Sequence, residues 1–512
     1  MKKRLWLSVA MLVVGGALLA IAQLAGATSE RKGGIFRVGT TGASVQIDPQ
    51  LSYITTGWWL EYATAAKLYN YRPNGTLVPE VASRFTVSSN GAGYTFFLRK
   101  GFRFSDGTPV TARNFKYAFD RLRNPQLASP GKELAVNIGG VHAHGMKLVI
   151  HPKSGDGNLI STLTMPFFQA TSTKLPLDRE VVDVRSMNDL PSAGPYAFTL
   201  NKVNETTSLR RNPYWRRGPG RTQPRNLAGV DIRWNLNEVT AFNQVKNNEL
   251  DEGPIPANEV QAVATQYGVN RSQFWVEPTN CLFSIAFNNS SGIFHANAPL
   301  RRAVNFALDR TDFVADAPYV STPWTHLLPP GFPGSITQKR RQPYGVRSDI
   351  ERARQLAAGH YRDGRVVLAY RTSSRFPARA QLVRRDLERL GLNVVMVPFG
   401  STDEPSPGWD MLIRFGWCYD SPDPSRVLVS SLGSVPNSGK YLQRIRAADG
   451  LPGNKRLSAL GKIDLEVMRN VAPVAVMHTY NNRWFFSSRV DPRSLKYHVV
   501  YEDWSIPALA LK

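Results

Sequence analysis

The stretch Asn90–Arg121, NGAGYTFFLRKGFRFSDGTPVTARNFKYAFDR, is where the reading of this chain starts. Asn90-Gly91 and Gly93 are turn residues, and they separate Phe85–Val87 from Tyr94–Arg99, so the segment reads as two strands joined by a glycine-rich hairpin. A second turn, Asp106-Gly107, follows Phe102–Phe104. Thr111 is then placed to N-cap a helix over Ala112–Arg123, with Phe115, Tyr117, Ala118, Phe119 and Leu122 as its apolar residues. Upstream, Leu77–Ser83 leads into the hairpin and Arg72-Pro73-Asn74-Gly75 signals a turn. Trp59, Tyr62, Ala63, Ala66 and Tyr69 recur at near-helical spacing and predict a helix over Trp58–Asn70, while Gly33–Thr41 predicts a strand.

The N-terminus carries a targeting signal. Lys2, Lys3 and Arg4 precede the uncharged apolar run Leu5–Ala22, and Ala25-Gly26-Ala27 supplies small residues for cleavage after Ala27. The alternative, an uncleaved anchor, is opposed by Gly15, Gly16 and the Ala-Gly-Ala end. No cysteine lies near the cleavage region, so no lipid anchor is expected. The chain is therefore expected to be exported and otherwise soluble.

At 512 residues, with 42% hydrophobic and 10% aromatic residues, the chain exceeds one core and predicts at least two domains. Formal net charge is +24, and removal of Lys2, Lys3 and Arg4 leaves three fewer, +21. Basic residues are spread along the sequence, and neither a zinc finger nor a basic zipper nor an RNA-recognition aromatic motif accompanies them. The charge reads as a surface property, and nucleic-acid binding is not expected.

The two cysteines, Cys281 and Cys418, are either disulfide-bonded or two buried thiols; spacing alone leaves both open. Cys418 lies in Arg414–Asp420, RFGWCYD, after the buried strand predicted for Trp409–Phe415. Pro422 and Pro424 end that strand's exit. Read alone, the exit is either a packed Trp with a solvated Asp, or a ligand position of the kind α/β sheets place at strand ends. Catalytic motifs do not appear: there is no HExxH, no G-x-S-x-G and no phosphate-binding loop. His142-x-His144 reads as a surface feature rather than a metal site. Asp420 and Asp423 would have to serve as the carboxylate pair of the alternative reading, a secreted hydrolase. Asp423 is instead expected to cap the turn that follows it.

Taken together, PEVA followed by NGAGYTFFLRKGFRFSDGTPVTARNFKYAFDR resembles the signature region of the peptide/nickel-type extracellular solute-binding proteins of ABC importers. The similarity continues through Gly194-Pro195-Tyr196 (GPY), Arg211–Trp215 (RNPYW, one residue short of the family's pattern) and Phe287-Asn288-Asn289. Further on, it covers Leu300–Arg310 (LRRAVNFALDR), Asp349–Leu356, Gly416–Pro424 (GWxxDxxDP) and Ala472-Pro473-Val474. In the last of these, Val476 stands where a final proline would be.

The resemblance implies an α/β, bilobed periplasmic-binding-protein-like fold with an extra inserted domain and a hinge between lobes. After a signal peptide over 1–27, the core lobe would take 28–57, 186–277 and 484–512, the inserted domain 58–185 and the distal lobe 278–483. It further implies a peptide ligand, delivery to ABC permease subunits, a monomer, no cofactor and no enzymatic activity. Within the same family, a nickel complex, haem or an oligosaccharide is the alternative ligand. Asp420 would hold the ligand's amino terminus, Gly416–Cys418 would offer strand-like backbone, Trp417 would wall the pocket, and Cys281 and Cys418 would be bonded. Trp58 and Trp59 fall near a ligand contact of relatives. Arg371 and Arg375 lie where some relatives supply a cation for the ligand's carboxylate, and Arg414, alternating with buried residues on its strand, is placed to point into the cleft.

Overall fold

The computed structural model describes residues 33–512 apart from 90–92, 154–158, 222, 317, 374, 401, 402, 414, 415, 420, 421 and 452. The export signal, the turn residues Asn90 and Gly91, and the site candidates Arg414 and Asp420 therefore lie outside the described residues.

Two strands of unusual length, Phe274–Phe287 and Val474–Phe486, run antiparallel at the centre of the largest sheet. At 14 and 13 residues they are more than twice the common strand length of about 5–6. On one side the sheet continues through Met411–Ile413, Arg365–Arg371 and Asn393–Phe399, which pair in parallel with one another. On the other it continues through Glu252–Gly253, Ile35–Gly39, Gly229–Arg233, Thr206–Arg211 and Tyr196–Lys202.

The ribbon thus joins two packing units. Its register shifts between Pro278 and Leu282, where a proline with no N–H removes one rung of the ladder. On one side of the shift, Leu282, Phe283, Ile285 and Phe287 enter the largest core, whose members run from Leu282 to Met477. On the other, Trp484 and Phe486 join Phe36, Val230, Trp504 and Tyr196 in a second core. The sequence suggests that Pro278-Thr279-Asn280 precedes a strand beginning at Cys281. Instead one strand passes through the proline, because its partner Val474–Phe486 continues alongside and places Asn481 opposite Pro278.

A third core fills the space beneath a four-stranded antiparallel sheet ordered Ala82–Val87, Tyr94–Leu98, Lys147–Pro152, Ile138–His144. The helix Ala112–Arg123 covers it with Phe115, Phe119 and Leu122, as the sequence spacing predicts. Its start is fixed by Asn114, whose Oδ1 accepts from the Thr111 backbone N–H at 2.9 Å. Arg121 is fully buried and forms a two-pronged pair with Asp48 at 2.9 and 2.8 Å, tying this helix to the N-terminal segment.

The helix predicted for Trp58–Asn70 is shorter. It spans Thr55–Thr64, the chain turns extended at Ala65, and Tyr69–Tyr71 becomes a strand paired with Leu77–Pro79. The helical spacing of Trp59, Tyr62 and Ala63 is real, whereas Tyr69 belongs to a hairpin closed by the turn at Arg72–Gly75. A similar break divides Leu300–Arg310: Ala298–Ala307 is one helix, and Asp309 caps a second, Arg310–Val314.

Candidate functional site

The strand exit after Ile413 returns to the sheet as the short strand Trp417–Cys418, paired antiparallel with Leu282 and Cys281. Cys418 is covalently joined to its cross-strand neighbour Cys281, which resolves the two readings of the cysteines in favour of the disulfide. Among the described residues no strand pairs with the other edge of Trp417–Cys418, so backbone groups are available there. The Trp417 side chain is 67% exposed, a large apolar surface beside that edge.

Gly416 sets the approach. A Cβ at this position would lie 2.6 Å from the Leu282 carbonyl oxygen and 2.6 Å from the Tyr480 ring, so only glycine lets the strand sit this close. Tyr419, next along, points the other way. Its hydroxyl donates to the Leu327 carbonyl at 3.0 Å and its ring meets Phe332 edge-on, anchoring the exit in the largest core. Asp423 is also committed. It caps the helix Pro424–Leu432 through the Ser425 N–H at 2.9 Å and pairs with Arg456 at 2.8 Å, fully buried. A carboxylate so held is not free for hydrolytic chemistry, so the hydrolase reading loses its second acid.

Trp58 comes to the same place from the helix Thr55–Thr64. It lines a narrow crevice with Asn280, Tyr419, Pro422 and Tyr501, about the size of one water molecule. Its indole N–H donates to the Ser52 carbonyl at 3.0 Å, which fixes the ring. Asn280, in the register shift, donates its N–H to Glu502 at 2.6 Å, and burial pushes that carboxyl up to about 7. The C-terminal segment therefore braces the point where the central ribbon is irregular.

The structure separates the other candidates. Trp59 is buried in the second core and donates to the Trp504 carbonyl at 2.6 Å, so its indole serves packing rather than the crevice. Arg371 ends its strand with the guanidinium 5.7 Å from the Phe399 ring. Arg375 stands at the start of the helix Phe376–Leu390 and pairs with Asp316 at 3.5 Å.

One turn further on is a cation that sequence reasoning missed. Arg379 is buried over the rings of Phe313 and Phe283, at 4.8 and 5.4 Å, and its Nη1 faces His478 Nε2 at 3.5 Å. It also bonds Tyr480, the same tyrosine that packs on Gly416. Burial depresses the pKa of Arg379 and holds His478 near 3, so the imidazole is neutral. The available signal was positional: Arg379 occupies the helix face shared by Phe376, Ala380, Val383 and Leu387.

No group of three or more His, Cys, Asp or Glu among the described residues is arranged to hold a metal ion. The rings of His142 and His151 lie 5.7 Å apart across the hairpin.

Residues 76–439 match the family model described as bacterial extracellular solute-binding proteins, family 5. The chain is 26% identical over 309 residues to the probable deoxycholate-binding periplasmic protein YgiS of Escherichia coli, a match spanning 56% of each chain, somewhat over half of that relative's length. It is 23% identical over 474 residues to the oligopeptide-binding protein OppA of Bacillus subtilis, covering 84% of each. Among solved structures, the unliganded open form of the periplasmic murein tripeptide-binding protein MppA superposes with a TM-score of 0.78 at 19% identity, over 94% of this chain and 98% of that one. The fold is thus that of the bilobed periplasmic binding proteins.

Proposed function

We propose that this chain, which belongs to the bacterial extracellular solute-binding proteins of family 5, is exported, captures peptides between its lobes and delivers them to an ABC permease. The observation that carries the peptide reading is the stapled, half-paired strand Trp417–Cys418, with its open edge beside an exposed tryptophan and the crevice under Trp58. An extended peptide adding to that edge gains main-chain hydrogen bonds without regard to its side chains. Asp420 follows Tyr419 directly and is the acid for the ligand's α-ammonium, an interaction contributing about 1.5–3 kcal/mol. The lobes take 28–57, 186–277 and 484–512 for the core, 58–185 for the inserted domain and 278–483 for the distal lobe. The hinge is the central ribbon at Pro278–Leu282, where the ladder is interrupted.

Relatives described as oligopeptide- and murein tripeptide-binding support this reading, and the one described as deoxycholate-binding marks the alternative of a non-peptide ligand. Isothermal titration with a mixed tripeptide library, run on the parent and on Asp420→Ala, tests it. Saturable binding that weakens at least about tenfold in the variant is expected. Equal affinity in both would show the amino-terminus assignment to be wrong. Absence of peptide binding, with a non-peptide ligand retained in native mass spectrometry, would remove the peptide reading.

A further inference from the structure

A second cavity lies away from the crevice, on the unit formed by the inserted segment and the C-terminal tail. It encloses about 560 Å³ between the hairpin Tyr69–Pro79, the loop at Gln223 and residues 491–510. That is room for a compact ligand. Its walls are apolar where Tyr71, Val78, Pro224 and Ala508 meet.

Two acceptors in its lining, the Glu80 carboxylate and the Gln223 amide oxygen, have capacity for a further donor. Glu80 is 3% exposed; its Oε2 accepts from the Lys67 N–H at 2.8 Å and the Asn70 amide at 3.3 Å, the Lys67 ammonium acts on its charge from the far side, and no further hydrogen bond reaches it among the described residues. Gln223 is 9% exposed, and its Oε1 is buried without a partner. A buried acceptor left unpaired costs about 1–3 kcal/mol, which a ligand donating to it would recover. At the rim cations outnumber acids: Asp491 is paired with Arg493 at 3.0 Å, whereas Arg72 and Lys496 are exposed and carry no ion pair among the described residues.

We infer that this cavity is a second ligand site that takes a compact zwitterion with an apolar body, an amino acid or dipeptide, its ammonium on Glu80 and Gln223 and its carboxylate toward Arg72 and Lys496. The arrangement matches in all three parts: donors for the two inner acceptors, an apolar side chain for the walls and an anion for the rim. Its components belong to the core and inserted segments, so occupancy does not require the distal lobe.

The test uses L-leucine, N-acetyl-L-leucine and L-leucine amide in titration calorimetry of the full processed chain. It is run at pH 8, above the value of about 7 to which burial raises Glu80. The expected result is saturable leucine binding, none for N-acetyl-leucine and weaker binding for leucine amide. Glu80→Gln and the cavity-filling Ala508→Trp should abolish leucine binding. The exposed pair Arg72→Ala and Lys496→Ala, which leaves the interior untouched, should weaken it at least about tenfold. Asp420→Ala and Trp417→Ala should leave it unchanged, while the cavity variants leave tripeptide binding unchanged. The inference is overturned if leucine does not bind, if N-acetyl-leucine binds equally, if the rim variants bind leucine as the parent does, or if leucine binding is lost with the variants at Trp417 and Asp420.

Discussion

Replacing Gly416 by alanine is the sharpest single test of how the candidate site is held. The added methyl would stand 2.6 Å from the Leu282 oxygen and 2.6 Å from a Tyr480 ring carbon, both well inside van der Waals contact. Neither obstacle can yield easily. Leu282 is in the backbone of the paired strand, and Tyr480 is held through Arg379 and through its hydroxyl on the Gly416 backbone. Nor can Trp417–Cys418 back away freely, because the bond from Cys418 to Cys281 tethers it two residues further on. Overpacking of this kind costs about 1–3 kcal/mol, with strand 417–418 the element that shifts. At roughly 2–4 °C per kcal/mol for a unit of this size, the melting temperature should fall by several degrees. Tripeptide affinity should fall with it if, as proposed, the displaced element is the binding edge. Gly439→Ala, at a helix start where a Cβ meets nothing within 4 Å, is the matched control and should change neither quantity. A Gly416→Ala protein with parental affinity and a melting temperature within about 1 °C of the parent would refute the account of a tight, tethered strand.

Three further outcomes are expected. Cys281→Ser with Cys418→Ser releases a constraint across a sequence separation of 137, worth up to about 5 kcal/mol by loop entropy, so guanidinium denaturation should shift to lower midpoints; an unchanged midpoint would deny the staple its role. Trp417→Ala should leave the melting temperature unchanged, since the side chain is 67% exposed, yet weaken tripeptide binding by about 2 kcal/mol or roughly thirtyfold; retained affinity would remove Trp417 from the pocket wall. Stability should decline between about pH 6.5 and 8. Buried Glu61, Asp464 and Glu502 keep their protons up to about 8, 7 and 7, whereas the unfolded groups lose theirs near 4.5 for the glutamates and 3.8 for the aspartate, so the folded state binds the excess protons and its advantage is lost as pH rises. His326, His478 and His498, held near 3, act oppositely: unfolded histidines take protons below about 6.5, so stability is lost as pH falls through that value. Glu502→Gln keeps the acceptor for Asn280 and should recover about 3 kcal/mol at pH 8, read by thermal melts; a parent protein that gains stability from pH 6.5 to 8 would contradict the assignment.

The elements legible in the sequence are those whose pattern is local. The hairpin strands Ala82–Val87 and Tyr94–Leu98, the helix Ala112–Arg123 and the cap at Asp423 each carry their signal within a few residues. What escaped depends on partners distant in the chain. Tyr69 reads as helical until Leu77–Pro79 pairs with its strand, and Pro278 reads as a stop until Val474–Phe486 carries the ladder past it. Trp58 and Trp59 are adjacent and indistinguishable by composition, but a helix sends successive side chains about a hundred degrees apart, so one reaches the crevice and the other the core. Arg379 was hidden by the opposite expectation, that arginines in so basic a chain are solvated, although its place among Phe376, Ala380 and Val383 marks the buried face.

The segment Gly416–Asp423 gathers these constraints into one device. Three attachments fix its described residues: the glycine contact with the neighbouring strand, the disulfide to Cys281, and the Tyr419 hydroxyl on Leu327. A fourth, the buried pair of Asp423 with Arg456, fixes the point where the helix Pro424–Leu432 begins. Each attachment uses the side of the chain that faces the protein, so the cost of ordering the backbone is met before any ligand arrives. Among the described residues, what is left unused is the outer edge of Trp417–Cys418 and the exposed Trp417 ring. A rigid edge beside an apolar wall is what an extended chain requires of its receptor, and the register shift at Pro278–Leu282 sits directly against it. On the proposed hinge at that shift, closure would bring the opposite wall toward the edge while leaving the edge itself intact.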